Sequence, residues 1–247
     1  MASVQEHYAR HLAPHYTWMA GGAAGPRQRF TDLCRQLGLR PSQPGATALD
    51  LGAGNGSQSI PLAAAGYRVT AVDLSPELLA ELTRDAGDLP VTTVVGDLRD
   101  IAVHAPRPAP EVIVCMGDTL THLATLDDVA NVIRSASAAL APGGYLLLGF
   151  RDYTTERTGN DRFIPVRSDD ERILTCFLEF GTTHVTVSDI VHARSGERWQ
   201  MTVSHYQKVR ISPSWILAQL RAAGFTVAHQ TAENGLVTIA ALLSPSP

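Results

Sequence analysis

The sequence predicts an α/β fold: a doubly wound, Rossmann-like sheet of seven strands with an antiparallel β insertion before the last helix. Two observations lead to this prediction. Between residues 46 and 150, short continuous apolar runs alternate with amphipathic helical stretches, as in a parallel sheet that is covered on both faces. After Arg151 the runs are longer, show polar alternation and are separated by Gly181 and by Ser195-Gly196, as in an antiparallel meander.

The individual elements follow from apolar periodicity and from the placement of caps, glycines and prolines. We predict strands at residues 46–51, 67–72, 91–95, 112–116, 145–150, 171–180, 184–193, 198–209, 225–228 and 236–243. We predict helices at residues 57–65, 77–84 and 126–140, around Phe30, and after a cap at Ser212. Residues 1–45 are then an N-terminal helical lid segment, and residues 46–247 are one domain that contains a substrate-side insertion at 151–211.

Composition excludes several classes of protein. The chain has 247 residues, of which 45% are hydrophobic and 18% charged, which suits one large domain with a sizeable core. The formal net charge is -4 and the basic residues are scattered, which argues against nucleic acid and anionic membranes as partners. Three separated cysteines, the lack of a signal-peptide pattern and the lack of a long apolar run predict a cytoplasmic protein.

A glycine-rich turn lies between the first strand and the first helix. Its order, Gly52-x-Gly54-x-Gly56, differs from the Gly-x-Gly-x-x-Gly that cradles a pyrophosphate. Glycines at this edge of a parallel sheet let the backbone approach a ligand closely. The preceding Asp50 favours a cationic or amine-bearing ligand, because a carboxylate repels a phosphate.

Three more strand ends carry polar residues that would face the same cleft. Asp73 ends the second strand, where a carboxylate can accept the hydroxyls of a ribose, and Asp97 ends the third, where it can accept an adenine amine. Met116 and Asp118 follow the fourth strand. Each carboxylate alone is equally an ordinary strand-end or helix-capping aspartate. Together, the four strand ends resemble the class I S-adenosylmethionine-dependent methyltransferase family over residues 46–150.

This resemblance implies S-adenosyl-L-methionine as the methyl donor and S-adenosyl-L-homocysteine as the product. It implies that the donor lies against the glycine-rich turn, the strand ends and the N-terminal segment. The residues expected to bind it are Tyr16, Met19, Arg27, Asp50, Gly52, Ala53, Gly54, Asp73, Leu74, Asp97, Leu98 and Met116.

The fourth-strand motif indicates the class of acceptor. The run from Gly117 to Leu123 lacks the two prolines and the aromatic residue typical of enzymes that methylate nucleic acid. It is similar to the glycine and sarcosine N-methyltransferases, in which an arginine after the fifth strand binds the substrate carboxylate. By this resemblance Arg151 has that role, and Tyr153 and Tyr206 line the acceptor pocket, although tyrosines also pack at sheet edges.

Asp118 and His122 are the candidate catalytic residues. Asp118 stands where these relatives have an amide, so it can hold a substrate ammonium or accept a proton, or else cap the turn. The difference also puts glycine itself in doubt as the acceptor. His122 is either a base or a structural hydrogen-bond donor.

The N-terminal segment resembles the part of small-molecule methyltransferases that folds over the donor. Tyr16 and Met19 would close on the cofactor, and Trp18 would contact the substrate. Arg27, or alternatively Arg29, would reach the donor carboxylate. The alternative is a surface helix that docks its aromatic residues on the core. We predict no metal site: His11 and His15 have the spacing of metal ligands on a helix, but Pro14 between them makes a regular helix doubtful.

These observations predict methyl transfer to a small-molecule acceptor, most directly an amine nitrogen, by in-line displacement with catalysis by proximity and desolvation. Oxygen and sulfur acceptors are the first alternative. A NAD-dependent oxidoreductase and a non-catalytic donor-binding protein are the others. We expect a monomer or homodimer with neither nucleic acid nor membrane as partner.

Overall fold

A computed structural model describes residues 11–244. The helices are α1 (Ala13–Met19), α2 (Ala24–Gln36), α3 (Ser59–Ala64), α4 (Pro76–Ala86), α5 (Ile101–His104), α6 (Leu126–Ala139) and α7 (Pro213–Ala222). The strands are β1 (Thr47–Leu51), β2 (Arg68–Asp73), β3 (Val91–Val95), β4 (Val112–Cys115), β5 (Tyr145–Arg151), β6 (Phe163–Ser168), β7 (Arg172–Phe180), β8 (His184–Ser195), β9 (Arg198–Val209), β10 (Phe225–Glu233) and β11 (Leu236–Leu243).

The main sheet has seven strands in the order β10-β11-β5-β4-β1-β2-β3. Strands β1 to β5 are parallel, whereas β11 runs antiparallel to both β5 and β10. After β1 the chain adds β2 and β3 on one side, and then β4 and β5 on the other, so the order of the strands reverses between β1 and β4. Ligands of open α/β sheets bind beside such a switch point. The predicted fold class is confirmed. The predicted site residues lie at the carboxyl ends of these strands, at the edge of the sheet that contains the switch point.

Burial explains why the central strands have no polar alternation. All residues of β1 and β4 are buried, because helices cover both faces of the sheet. Leu49 and Leu51 pack in the larger core cluster with α6 and α7, whereas Ala48 packs on the other face with Phe30 of α2 and Leu62 of α3. Each fully buried leucine contributes about 1.5–3 kcal/mol through removal of its side chain from water.

The insertion is a separate antiparallel sheet of four strands in the order β6-β7-β8-β9. Its three long strands were predicted, but β6 was not. β6 is an edge strand with mostly exposed residues, and Pro165 and Arg167 interrupt any apolar alternation. On β8 the buried residues alternate regularly, which gives the sheet one covered face and one face toward solvent.

Helix α1 corrects one expectation from the sequence. The proline at position 14 lies in the first turn of the helix, where its missing N–H needs no partner, so the helix forms around it. The other bounds agree with the prediction to within a few residues, except that β10 continues to Glu233. Within residues 11–244, no helix has the length and apolar character needed to cross a bilayer.

Candidate active site

The glycine-rich turn after β1 is packed directly against the turn after β4. Gly52, Gly54 and Gly56 all have positive φ values, of 74°, 52° and 80°. A Cβ atom at Gly52 would lie 2.3 Å from Cγ2 of Thr119, so no larger residue fits there without a shift. The backbone N–H of Gly52 donates to the carbonyl of Val72 at the end of β2, at 2.8 Å. A backbone hydrogen bond therefore holds the ends of β1 and β2 together, and the side chain of Thr119 packs the turn after β4 against them.

Asp50 is a buried carboxylate beside this turn. Its side chain accepts a hydrogen bond from Ser59 Oγ at 2.6 Å through Oδ2. Its Oδ1 is buried and has no hydrogen-bond partner within the described part of the chain. Burial raises the pKa of Asp50 to about 7, and the nearby charge of Asp73 adds to the effect. Such a carboxylate fits a cationic partner, which would satisfy the unpaired oxygen and favour ionisation.

Asp73 at the end of β2 orders the backbone around it. Its Oδ2 accepts from Gly54 N and its Oδ1 accepts from Ser75 N, both at 2.8 Å. Burial nevertheless raises the pKa of Asp73 above its ordinary value. Each carboxylate oxygen can accept more than one hydrogen bond, so Asp73 can still receive ligand hydroxyls.

Tyr16 of α1 lies where the strand ends converge. Its ring stands over the glycine-rich turn, with Cε1 3.6 Å from the position that a Cβ of Gly54 would take. Burial, followed by the Asp73 carboxylate, raises the pKa of Tyr16, and its hydroxyl also senses the charges of Lys208, Asp118 and Asp50. The tyrosine is thus within electrostatic reach of three carboxylates and one ammonium.

Asp118 is at the centre of a second group of contacts, on the side of the insertion. Its Oδ1 accepts from the backbone N–H of Arg151 at 2.8 Å, and its Oδ2 accepts from Tyr153 Oη at 3.3 Å and from Lys208 Nζ. Burial opposes ionisation, but the Lys208 ammonium and His122 hold the pKa of Asp118 below its ordinary value. A carboxylate that is ionised and bonded to three donors is a weak proton acceptor.

Lys208 is the functional candidate that the sequence analysis missed. It lies on β9, is 7% exposed and forms a salt bridge with Asp118. Burial opposes its charge, but Asp118 holds the pKa of Lys208 above its ordinary value. Two features of the sequence could have identified it. The alternation of β9 places residues 204, 206 and 208 on one face of the strand, and residue 208 is the only lysine in the chain.

The aromatic residues that were predicted to line the acceptor pocket cover this group. The rings of His122 and Tyr206 stack with centroids 5.3 Å apart and an interplanar angle of 17°. Tyr153 and Tyr206 are buried in one cluster with Val185 and Val187 of β8. Burial raises the pKa of Tyr153 to about 12, so its hydroxyl remains a hydrogen-bond donor at neutral pH.

Four predicted residues have other partners in this structure. Arg27 donates to the carbonyl of Asn55 at 3.1 Å and to Asp85 at 2.8 Å, so it holds α2 on the glycine-rich turn. Asp97 is bound by the guanidinium of Arg99, which lowers the pKa of Asp97.

The other two lie at the insertion. The guanidinium of Arg151 is exposed and donates to the carbonyl of Asn234 at 3.3 Å. Trp18 donates from Nε1 to Asp169, and the guanidinium carbon of Arg172 lies 4.5 Å from its ring centroid. Helix α1 thereby joins the glycine-rich turn to the insertion.

The remaining predicted positions lie at the same edge of the sheet. Ala53 is buried, Leu98 packs against the larger core cluster, and Met116 packs against the smaller one. Met19 and Leu74 are half-buried. Among residues 11–244, no three or more His, Cys, Asp or Glu side chains are grouped as metal ligands would be.

Comparison with known proteins relates this chain to a known family. Residues 48–144 match the family model described as a methyltransferase domain. This segment is therefore similar to methyltransferase domains. The match agrees with the predicted family, with a methyltransferase as the enzyme class and with S-adenosyl-L-methionine as the cofactor, and it gives no support to the oxidoreductase alternative.

Two curated relatives and one solved structure illustrate the similarity. The ubiquinone biosynthesis O-methyltransferase of Xanthomonas campestris is 33% identical over 134 residues, 53% of this chain and 54% of that protein. The glycine/sarcosine N-methyltransferase of Aphanothece halophytica is 32% identical over 107 residues, 42% of this chain and 40% of that protein. This chain therefore spans about half or less of the length of these curated relatives. CalS10, an amino pentose methyltransferase from Micromonospora echinaspora, has a TM-score of 0.69 at 17% identity over 94% of both chains.

The residues present fit the cofactor of this family. A buried carboxylate oxygen of Asp50 has no partner among the described residues, which suits the ammonium of the donor. The glycines of the turn allow Thr119, Tyr16 and Leu82 to approach its backbone closely, which brings Tyr16 over the turn beside Asp50.

The contact between the two turns is testable with a matched pair of glycines. Gly52 and Gly143 share a φ of 74°, but a Cβ at Gly143 would meet nothing within 4 Å. We expect Gly143→Ala to lower the free energy of unfolding by about 1–2 kcal/mol through backbone strain alone. Gly52→Ala should lose a further ~1–3 kcal/mol because Thr119 must move. Equal losses in denaturant titrations of the two variants would show that the turns are not in contact.

Proposed function

We propose that this protein transfers a methyl group from S-adenosyl-L-methionine to a small-molecule acceptor, most directly an amine nitrogen. The observation that carries the proposal is the position of Tyr16, which lies over Gly54 and within electrostatic reach of Asp73 and Lys208. This position lies between the glycine-rich turn and the side chains around Asp118, where the insertion meets the main sheet. A donor bound at the turn would therefore present its methyl group to an acceptor bound in a pocket beside Asp118.

On the donor side, the charges favour a cation. Asp50 and Asp73 are carboxylates at the ends of β1 and β2, and Asp118 follows β4. The donor supplies a methyl group on a positively charged sulfonium, which is already a good leaving group. Asp50 would bind its ammonium and Asp73 its ribose hydroxyls, and Tyr16 would cover it.

On the acceptor side, the protein needs mainly to orient the nucleophile and exclude water. Proximity of this kind can supply roughly 7–11 kcal/mol. Asp118 holds Tyr153 and the end of β5 in place, while Tyr206 and His122 close the pocket. Because Asp118 is ionised and bonded to three donors, we assign it an orienting and charge-stabilising role, and the amine would attack in its neutral form.

An oxygen acceptor is the second candidate. It is favoured by one observation: the Lys208 ammonium at the pocket would stabilise an anionic oxygen before attack. The relatives include both acceptor types: one is named a ubiquinone biosynthesis O-methyltransferase and another a glycine/sarcosine N-methyltransferase. Both names refer to small molecules, which supports a small-molecule acceptor here. A cytoplasmic location and a monomeric or homodimeric state stay predictions.

A screen for released S-adenosylhomocysteine tests the proposal and separates the two candidates. Amino acids and small amines form one arm, and phenols, catechols and thiols the other. Turnover in the first arm supports nitrogen transfer, and turnover in the second alone favours oxygen or sulfur. Donor binding without turnover in either arm would support a non-catalytic donor-binding protein.

Donor affinity should depend on pH through Asp50. The free protein holds this carboxyl at a pKa of about 7, and a bound ammonium favours its ionised form. S-Adenosylhomocysteine binding should therefore strengthen as pH rises toward about 7, by up to tenfold per unit, and level off above it. Calorimetry below pH ~7.7 avoids titration of the ligand's own amino group. Asp50→Asn should abolish the slope; an unchanged slope would assign it to another group.

Asp73→Ala should weaken binding of S-adenosylhomocysteine by about 1.5–3 kcal/mol, the usual value of hydrogen bonds to a charged group. Asp73→Asn keeps one carbonyl oxygen and should lose less. Asp88→Ala removes an exposed carboxylate after α4 and serves as the control. Calorimetric affinity equal to that of the parent in Asp73→Ala would remove Asp73 from the donor site.

Arg151→Ala should reduce turnover far more than donor affinity. If its guanidinium binds the acceptor carboxylate, kcat/KM should fall at least about tenfold while S-adenosylhomocysteine binds as before. Arg157→Ala removes an exposed arginine from the following loop and controls for charge. Equal kinetics in the two variants would place Arg151 outside the acceptor site.

A further inference from the structure

Lys208 is the only lysine in the chain, and all the other residues counted as Lys or Arg are arginines. Arginine thus serves at every other one of these cationic positions, and lysine only at this buried one. The two are not interchangeable, since lysine is a compact charge with three rotatable donors and arginine a planar fork. The choice of lysine at this one buried position requires a local reason.

Lys208 lies on the face of β9 that would line the proposed acceptor pocket. It shares one face of β9 with Ser204 and Tyr206, and its Nζ lies 5.6 Å from the Tyr206 ring centroid. Its Nζ donates to Asp118, which is its hydrogen-bond acceptor among the described residues. Three ammonium hydrogens leave donors beyond the one that Asp118 accepts.

Two cations and two carboxylates lie at this end of the insertion. The charges of Lys208 and Arg151 lie close enough to act on each other and on the thiol of Cys176. Asp118 binds Lys208, and the buried Asp189 accepts a hydrogen bond from the same thiol. Arg151 is bonded to a neutral carbonyl. Stability alone does not explain a buried ion pair here, since apolar residues of similar volume would often serve as well.

We propose that Lys208 is a specificity-determining residue, which binds an anionic oxygen of the methyl acceptor with its remaining N–H donors. This inference rests on the proposed function and adds an acceptor class to it: an acceptor that carries a carboxylate or a phenolate.

The single lysine allows a test that needs no variant. Protein grown with ¹³C-labelled lysine gives one Cε–Hε resonance, which reports on Lys208 alone. Protein saturated with S-adenosylhomocysteine is titrated with acetate and, separately, with 4-nitrophenolate. Their neutral counterparts, acetamide and 4-nitroanisole, are the controls. We expect a saturable shift with an anion and none with its neutral counterpart. The anion that acts tells a carboxylate acceptor from a phenolate acceptor.

The same titrations can overturn the inference. An unmoved resonance with both anions, or equal shifts with the neutral compounds, would limit Lys208 to its salt bridge with Asp118. A failure of S-adenosylhomocysteine to bind the parent would instead count against the proposed function, so the two failures are distinguishable.

Variants extend the test to kinetics. With the acceptor found in the screen, Lys208→Met should raise KM at least about tenfold, as expected for loss of a hydrogen bond to a charged group, with donor affinity changed less than twofold. Lys208→Arg keeps the charge beside Asp118 and should recover part of the loss. Arg198→Met removes one positive charge from the exposed start of β9 and should change neither value. A KM for Lys208→Met equal to that of Arg198→Met would refute the inference.

If Lys208→Met does not fold, the double variant Lys208→Met/Asp118→Asn removes the ion pair without leaving a buried charge. In this variant, the KM should not distinguish an anionic acceptor from its neutral counterpart. A retained preference for the anionic acceptor would contradict the proposal.

Discussion

The salt bridge between Asp118 and Lys208 joins two sheets that share no strand. Asp118 belongs to the turn after β4 in the seven-stranded sheet, and Lys208 lies on β9 of the insertion. The same carboxylate bonds the backbone at the start of the insertion and the hydroxyl of Tyr153. One buried charge therefore sets where the insertion lies relative to the strand ends, and the shape of the pocket between them depends on it.

The close contact between Gly52 and Thr119 extends this connection to the donor side. Because the turns after β1 and β4 touch, a shift of the Asp118 turn would also move the backbone against which the donor is proposed to bind. Interiors are close-packed and transmit such displacements. Donor and acceptor positions are thus linked through rigid backbone, which suits a reaction that depends mainly on alignment.

The sequence allowed prediction of features that depend on local or steric requirements. The glycines of the turn and the aspartates at the strand ends follow directly from the geometry of a parallel sheet, and Gly52 does have positive φ and a close neighbour. Side-chain partners could not be predicted, because they depend on contacts between distant segments. The partners of Arg27 and Asp97 and the salt bridge of Lys208 are of this kind. Strand β6 was missed because an exposed edge strand does not need apolar alternation.

Helix α1 has a consequence for the order of events during turnover. Thr17 is bonded to Asn55 of the glycine-rich turn and to Glu81 of α4, while Trp18 is bonded to Asp169 of the insertion. A donor lying beneath Tyr16 would be enclosed by these contacts. Product could then leave only after they break, so the rate of helix detachment would set an upper limit on turnover, however fast the methyl transfer itself.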